Sequence, residues 1–577
     1  MNKFMKEYGV ILFLIMFLVC VVAVVHVNSI SNGFVYDDTV QILQNPWIKD
    51  IQYIGKIFTS DVWAYYQTAE ASNYYRPLAN IFYMVTWHFF GADARAFHAV
   101  NILLHISVVV LIFLLVLKLL DSTWLIKGRF MKGLCSSDTN KKLGAFIVAL
   151  LFGVHTIHSE AVNWISGIME LMFTLFGLMS FYFFLDHERK GFLVLSSSFF
   201  LIALFSKETA VVFLPFFFLY DLCCGEKRFN VRTSFITYIP YVIALVLYFL
   251  IRTYAVGEFA PVNMHPDLSN YECVLNVFPQ FTEHLWKLLW PVNLSIYHVF
   301  EPVRSIFEPR TVLGLCVSIC YLGCLYWSWK RDRFVFFALV LIGIPLLPYF
   351  YIRGIGPTIF EEQHLYLSSL GFLMLPLRIY LWVDLKSSKF RYGFYFLVLI
   401  ALCFYSVMTV QRNGIWKDNL SVWRDAVKKY PESAIVHESL AGGYLEHGRI
   451  DEAIDHYHRA VKFASIPSAR LYNNLGTAYT RKGKMDEAIG YFMQAISIRP
   501  EYARAHLGLG VALDAQGRTD KAIEAFQNAV RYDPYLADAY NNLGVAYAKQ
   551  GNFVAAQQAM KQATTIDPEY YKKKMQK

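Results

Sequence analysis

Apolar residues fill the chain in long runs up to about Val410, after which the pattern changes to a shorter-period, Ala-rich alternation of polar and apolar positions. A bilayer-crossing helix needs about 20 predominantly apolar residues. The first regime holds about eleven candidate stretches: 8–28, 97–119, 143–157, 164–185, 191–206, 208–224, 235–252, 311–329, 334–352, 365–383 and 392–410. The first reads as a span and not as a signal peptide, because its apolar core is long and no small-residue cleavage site follows. Two polar stretches are long, about 29–95 and 253–310, and within the second the segment 282–291 (TEHLWKLLWP) predicts a helix lying in the membrane interface.

The second regime repeats. Leu475–Gly476, Leu509–Gly510 and Leu543–Gly544 recur every 34 residues, followed by Ala488, Ala522 and Ala556 and then by Pro500, Pro534 and Pro568. An earlier unit carries Leu440–Ala441, Tyr444 and Ala453, and Trp423, Ala426 and Pro431 read as the second helix of a degenerate first unit. This is the tetratricopeptide-repeat pattern. It predicts an α-solenoid whose concave groove takes a peptide. The expected fold is therefore all-α, with a polytopic helical membrane domain over 1–411 and a solenoid of about four repeats plus the degenerate unit over 412–577.

The composition agrees with this division. More than half of the 577 residues are apolar. The net charge of +9 does not point to nucleic acid, because Lys and Arg sit in short clusters between apolar runs. Those clusters follow the even-numbered runs, as at Arg189–Lys190 and Lys330–Arg331, which predicts a cytoplasmic N-terminus and an exterior tail. Most of the nine Cys lie inside apolar runs and none lies in the tail, so no disulfide framework is implied. Their absence from the repeats, with compact cytoplasmic loops, points to a bacterial inner membrane. In that case the repeats are periplasmic; in another organism they are lumenal.

Candidate chemistry gathers on the predicted exterior side. Asp37 and Asp38 follow the first span directly. Adjacent carboxylates raise one another's pKa, and either then serves as a general base toward a hydroxyl. Arg76 has the planar fork that holds a phosphate. His155, His158 and Glu160 lie at one turnaround and read as polar lining of a cavity; Lys207 and Glu208 lie at another; Arg353, Glu361, Glu362 and His364 add charge nearby. An ionised group in mid-membrane, such as Glu170, costs about 2.5–3.5 kcal/mol on insertion scales and ordinarily faces a wet interior.

The stretches FVYDD (34–38), YYRPLAN (74–80), HTIHSEAV (155–162), SKETAVVFLPFFFLYDL (206–222), LWPVNLSIY (289–297) and EEQHLYLSSLGF (361–372), followed by the repeats, resemble the transmembrane and tetratricopeptide-repeat O-mannosyltransferase-like group of the polytopic (GT-C) glycosyltransferases. The chain departs from that pattern at Thr156, where the group has Pro, and at Gln363, where it has Arg. The resemblance implies a sugar, mannose in that group, carried on a polyprenyl phosphate and delivered from the membrane lipid. Asp37 or Asp38 would be the base toward a protein Ser or Thr. Arg76, Lys207 and Arg353 would face the departing phosphate. The reaction would invert the anomeric carbon and use neither metal nor cofactor. Two other readings compete: a non-catalytic membrane-anchored scaffold, and a polysaccharide ligase or polymerase whose acceptor is a glycan.

Overall fold

The computed structural model describes residues 2–65, 74–121, 138–224, 231–257, 265–354, 359–383 and 388–566. It divides into two compact units, Met1–Asp418 and Asn419–Lys577. Secondary structure is helical throughout, with no strand among the described residues.

All eleven apolar stretches are helical in the first unit, but they are not eleven spans. Among the described residues, seven helices are long and apolar enough to cross a membrane, and eight if the bent pair Asp138–Val154 and Thr156–Asn163 counts as one. Lys190–Ser206 and Ser368–Leu381 are shorter apolar helices. Phe213–Cys224 has 12 residues, or about 18 Å at 1.5 Å per residue against a hydrocarbon core of about 30 Å. Hydropathy counts a broken or half-length helix as a span when its polar break is only two or three residues long. The orientation inferred from charge parity depended on that count.

Those breaks position the candidate site. The chain turns at His155–Gly167 through three short helical turns, Thr156–His158, Ser159–Asn163 and Ile165–Gly167. Lys207 is fully extended (φ −157°, ψ 133°) between Lys190–Ser206 and the turn Glu208–Val212. Pro345 and Pro348 tighten the chain after Arg333–Gly343 into a 3₁₀ segment, Ile344–Phe350. Pro77 occupies the first turn of Pro77–Phe90, where its missing N–H has no helical partner to lose.

The expected interfacial helix is longer than its Leu and Trp pattern: Asn270–Leu289, started by a reciprocal Ser269/Glu272 capping box. It buries Phe281, His284 and Leu288 and exposes Tyr271, Val274, Trp286 and Leu289. Helix packing in this unit depends on small residues. A Cβ on Gly177 would lie 1.9 Å from the Phe213 ring, so only glycine lets these two segments approach.

In the second unit the helix Asn419–Lys429 precedes four helix pairs that run from Ala434–Glu446 to Phe553–Ile566. Each pair turns on a glycine in the left-handed region: Gly448, Gly483, Gly517 and Gly551, with φ between +71° and +82°. Gly476, Gly510 and Gly544 sit against Phe492, Phe526 and Met560 of their own second helices. The boundary expected at 411 falls inside the helix Ser388–Ile415, which runs past it without a break.

Candidate active site

The acid pair sits on a strained turn. Tyr36 has φ +55°, a left-handed conformation uncommon for a non-glycine residue. Asp38 fastens this turn. Its Oδ2 accepts from the Val35 amide at 3.0 Å. Its Oδ1 accepts from the Ser166 amide at 2.9 Å and the Ser166 hydroxyl at 2.7 Å. Asp38 is fully buried. It therefore welds the loop after the first span to the Ile165–Gly167 turn. Asp37 differs in kind. Its backbone carbonyl accepts from the Val40 and Gln41 amides. Its half-buried carboxylate has no side-chain hydrogen bond or ion pair among the described residues.

The two acids also differ electrostatically. Burial, then Asp38, then Glu361 push the Asp37 carboxyl up to about 7. Burial pushes Asp38 up to about 6, opposed by its bonds from Ser166 and Val35. Asp37 is thus the carboxylate with oxygens to spare and a proton affinity near neutrality, which is what a general base toward a hydroxyl requires.

The cations near this turn are not free, which corrects the simplest form of the sequence reading. Arg76 donates through Nε and Nη2 to both oxygens of Glu208, at 3.0 and 2.5 Å, with its guanidinium 4.4 Å from the centre of the Tyr74 ring. Lys207 is ion-paired with Glu170; the side chains are 5% and 1% exposed. The Lys207 ammonium also stands 5.3 Å from the Tyr349 ring centre. Tyr349 stacks on His364 with centroids 3.6 Å apart, and His364 Nε2 is 3.3 Å from Glu361 Oε2. Glu361 closes the chain of contacts, since it is a charge that Asp37 feels. Burial of ions in pairs answers their desolvation, so each pair is costly to break.

Three groups of predicted residues have partners of their own. Arg353 donates to the Leu268 carbonyl at 3.3 Å, and no contact among the described residues brings it to the acid turn. Glu362 and Glu160 form a second buried acid group that borders the first, since Glu361 is a charge felt by both Asp37 and Glu160. Glu362 Oε1 accepts from the Ser295 amide at 2.5 Å and from His298 Nε2 at 3.2 Å. Its amide donates to Glu160 at 3.1 Å, and Arg412 Nη2 stands 3.7 Å from its other oxygen. His155 and His158 are fully enclosed. His155 Nε2 donates to the Leu288 carbonyl at 3.3 Å, and His158 Nε2 faces the Ser369 hydroxyl at 2.8 Å. The His158 ring packs on Phe152 and Tyr366, so this pair knits the interior of the fold and not the acid turn.

Comparisons with known proteins bear on both units. The tetratricopeptide repeat family matches residues 416–469, 469–502 and 537–570, and a TPR repeat description matches 513–551. Protein O-mannosyl-transferase F38B6.6 of Caenorhabditis elegans is 24% identical over 456 residues, covering 76% of this chain and 61% of the relative. Human protein O-mannosyl-transferase TMTC1 is 28% identical over 505 residues, covering 77% and 54%. Human TMTC3 is 24% identical, covering 77% and 50%. This chain resembles proteins named as protein O-mannosyl-transferases, and it carries tetratricopeptide repeats. It spans between half and about three fifths of the length of those relatives. Among solved structures, the crystal structure of MamA aligns with 26% of this chain and 89% of its own at 27% identity and a TM-score of 0.24.

Sequence reading did not find Ser166, which holds Asp38, or Tyr349, which links Lys207 to His364. It noticed Glu361 only as further charge. No spacing rule could bring in Ser166, because it is 128 residues from Asp38. The one available signal was Ser at the start of a glycine-containing turn in a region already rich in polar breaks.

Proposed function

We propose that this chain is an integral-membrane glycosyltransferase that moves a hexose, mannose by analogy with the relatives' names, from a polyprenyl-phosphate carrier to a Ser or Thr hydroxyl of a protein. The observation that carries this reading is the division of labour in the acid pair: Asp38 is hydrogen-bonded through both oxygens and fixed, and Asp37 is held beside it with neither oxygen engaged among the described residues. In this reading an Asp37 oxygen takes the proton from the acceptor hydroxyl as that oxygen attacks the anomeric carbon. The bond from the anomeric carbon to the phosphate oxygen breaks, the carbon inverts, and the lipid phosphate leaves already ionised. It needs cations and not a proton. Lys207 has three N–H donors and Arg76 five. Glu170 takes one from Lys207; Glu208 takes two from Arg76 and Met169 Sδ a third; the others would serve phosphate oxygens. The repeat groove would present the acceptor. The acid turn and the repeats would lie on the exterior face of a bacterial inner membrane, with the N-terminus cytoplasmic.

The test is transfer from polyprenyl-phosphate mannose to candidate acceptor proteins by the full chain in lipid nanodiscs, read by mass spectrometry. Asp37→Asn is expected to lower the rate by about 10²–10⁴-fold, the range for a positioned base, with membrane insertion unchanged. Transfer by Asp37→Asn at the wild-type rate would remove the mechanism.

A further inference from the structure

A second feature of the acid turn is used by neither the fold nor the chemistry above. Trp164 begins the Ile165–Gly167 turn, two residues before the Ser166 that holds Asp38. Its backbone is fully engaged: the amide donates to the Glu160 carbonyl at 2.9 Å, and the carbonyl accepts from Asn101 Nδ2 at 3.0 Å. Its indole is not. The Nε1–H is buried and finds no acceptor among the described residues. A buried Trp N–H ordinarily has a partner, and one without is an orphan that needs an explanation. Facing this indole, at 5.9 Å between ring centres and tilted by 43°, is Tyr36. That ring is 47% exposed, on the residue next to Asp37 that bears the strained backbone. Relaxing Tyr36 to an ordinary conformation would move both its ring and the acid beside it. Strain is retained where the surroundings over-determine it, and it concentrates at functional sites.

We infer that Tyr36 and Trp164 form a hexopyranose-binding platform beside Asp37. One face of a hexose carries only C–H groups and packs on an aromatic surface. Its rim carries hydroxyls that take an N–H donor and a carboxylate. Here two ring faces, one orphan indole N–H and one uncommitted carboxylate belong to two turns that Asp38 binds together. A peptide acceptor offers no matching combination of an apolar flat face and a hydroxyl rim. The platform rests on the reading of Asp37 as the base, and it names which part of the substrates lies against it: a sugar ring, on the lipid donor or on a glycan acceptor.

The test measures binding without turnover, on the full chain in nanodiscs. Polyprenyl-phosphate mannose is compared with polyprenyl phosphate lacking the sugar, and mannobiose is titrated separately. Two variants are used. Trp164→Phe keeps a ring and removes the N–H. Tyr36→Asn removes the ring with a residue that tolerates the left-handed conformation. The wild type is expected to prefer the sugar-bearing lipid. Trp164→Phe should lose roughly fivefold of that preference, the worth of one hydrogen bond, and Tyr36→Asn at least as much, with sugar-free lipid bound as before. If the lipid preference survives in both variants but mannobiose binding falls in both, the platform stands and belongs to an acceptor glycan. Unchanged binding of both ligands in both variants overturns it, as does a wild type that binds neither sugar. These results do not depend on turnover. An inactive chain with variant-sensitive sugar binding fails the transferase reading alone, and an active chain with variant-insensitive binding fails the platform alone.

Discussion

The two units differ in how deeply their ion pairs are enclosed. In the repeats, most ion pairs join residues one turn or about one repeat apart and stay near the surface, as with Lys549 and Asp514, 35 residues apart and 53% and 20% exposed. The membrane unit also has exposed pairs, such as Arg95 with Asp93, but others are enclosed and join distant segments. Arg76 reaches Glu208 across 132 residues, and Lys207 reaches Glu170 at 5% and 1% exposure. A repeat contact tunes a stack that helix packing has already built. A buried membrane pair decides where three or four turns meet, and the candidate site is the place where they meet.

Breaking one pair of each kind shows the difference. Lys207→Ala leaves the Glu170 carboxylate buried and unpaired, and such a loss typically costs about 3–5 kcal/mol. The variant is expected to melt well below wild type in detergent, and the double change Lys207→Ala/Glu170→Ala should recover part of the loss. Next come the glycines. Gly177→Ala puts a Cβ 1.9 Å from the Phe213 ring, whereas Gly476→Ala puts one 2.8 Å from the Phe492 ring. Overpacking costs about 1–3 kcal/mol, with the membrane position at the upper end. Hydrogen exchange should place the Gly476→Ala effect in its own and neighbouring repeats, because each repeat packs on its neighbours alone. The smallest effect is that of Lys549→Ala, which should leave the melting of the repeats unchanged within error, because exposed pairs contribute little. Equal losses from Lys549→Ala and Lys207→Ala would erase the contrast.

The same contrast explains what could be read from the chain. The solenoid was legible because its determinants are local and periodic: small residues at Gly476, Gly510 and Gly544, and a fixed interval of 34. Helices in the membrane unit were legible as apolar runs. Their division into spans was not, because hydropathy averages over the breaks at His155 and Lys207 that make the site. Asp37 and Asp38 stood out as a pair, but nothing in their spacing separates the fixed acid from the free one. That distinction is made by Ser166 and Glu361, which reach the pair only through folding. Arg76 and Lys207 were visible as cations, while their neutralisation by Glu208 and Glu170 depends on side-chain direction. His155 and His158 read as cavity lining in the sequence, and packing of His155 on Tyr405 and of His158 on Phe152 and Tyr366 gives them a structural place.

The central claim is that Asp37 is the proton acceptor and that its surroundings raise its proton affinity. The direct measurement is the pH dependence of kcat/KM for mannose transfer. A base must be ionised to act, so a carboxyl raised to about 7 predicts a rate that climbs about tenfold per pH unit from pH 5 and levels off near 7. Glu361→Gln removes one of the charges that raise it, so its limb should move to lower pH. A wild-type rate that is flat between pH 5 and 8 with chemistry rate-limiting, or a limb that Glu361→Gln leaves in place, would contradict the account.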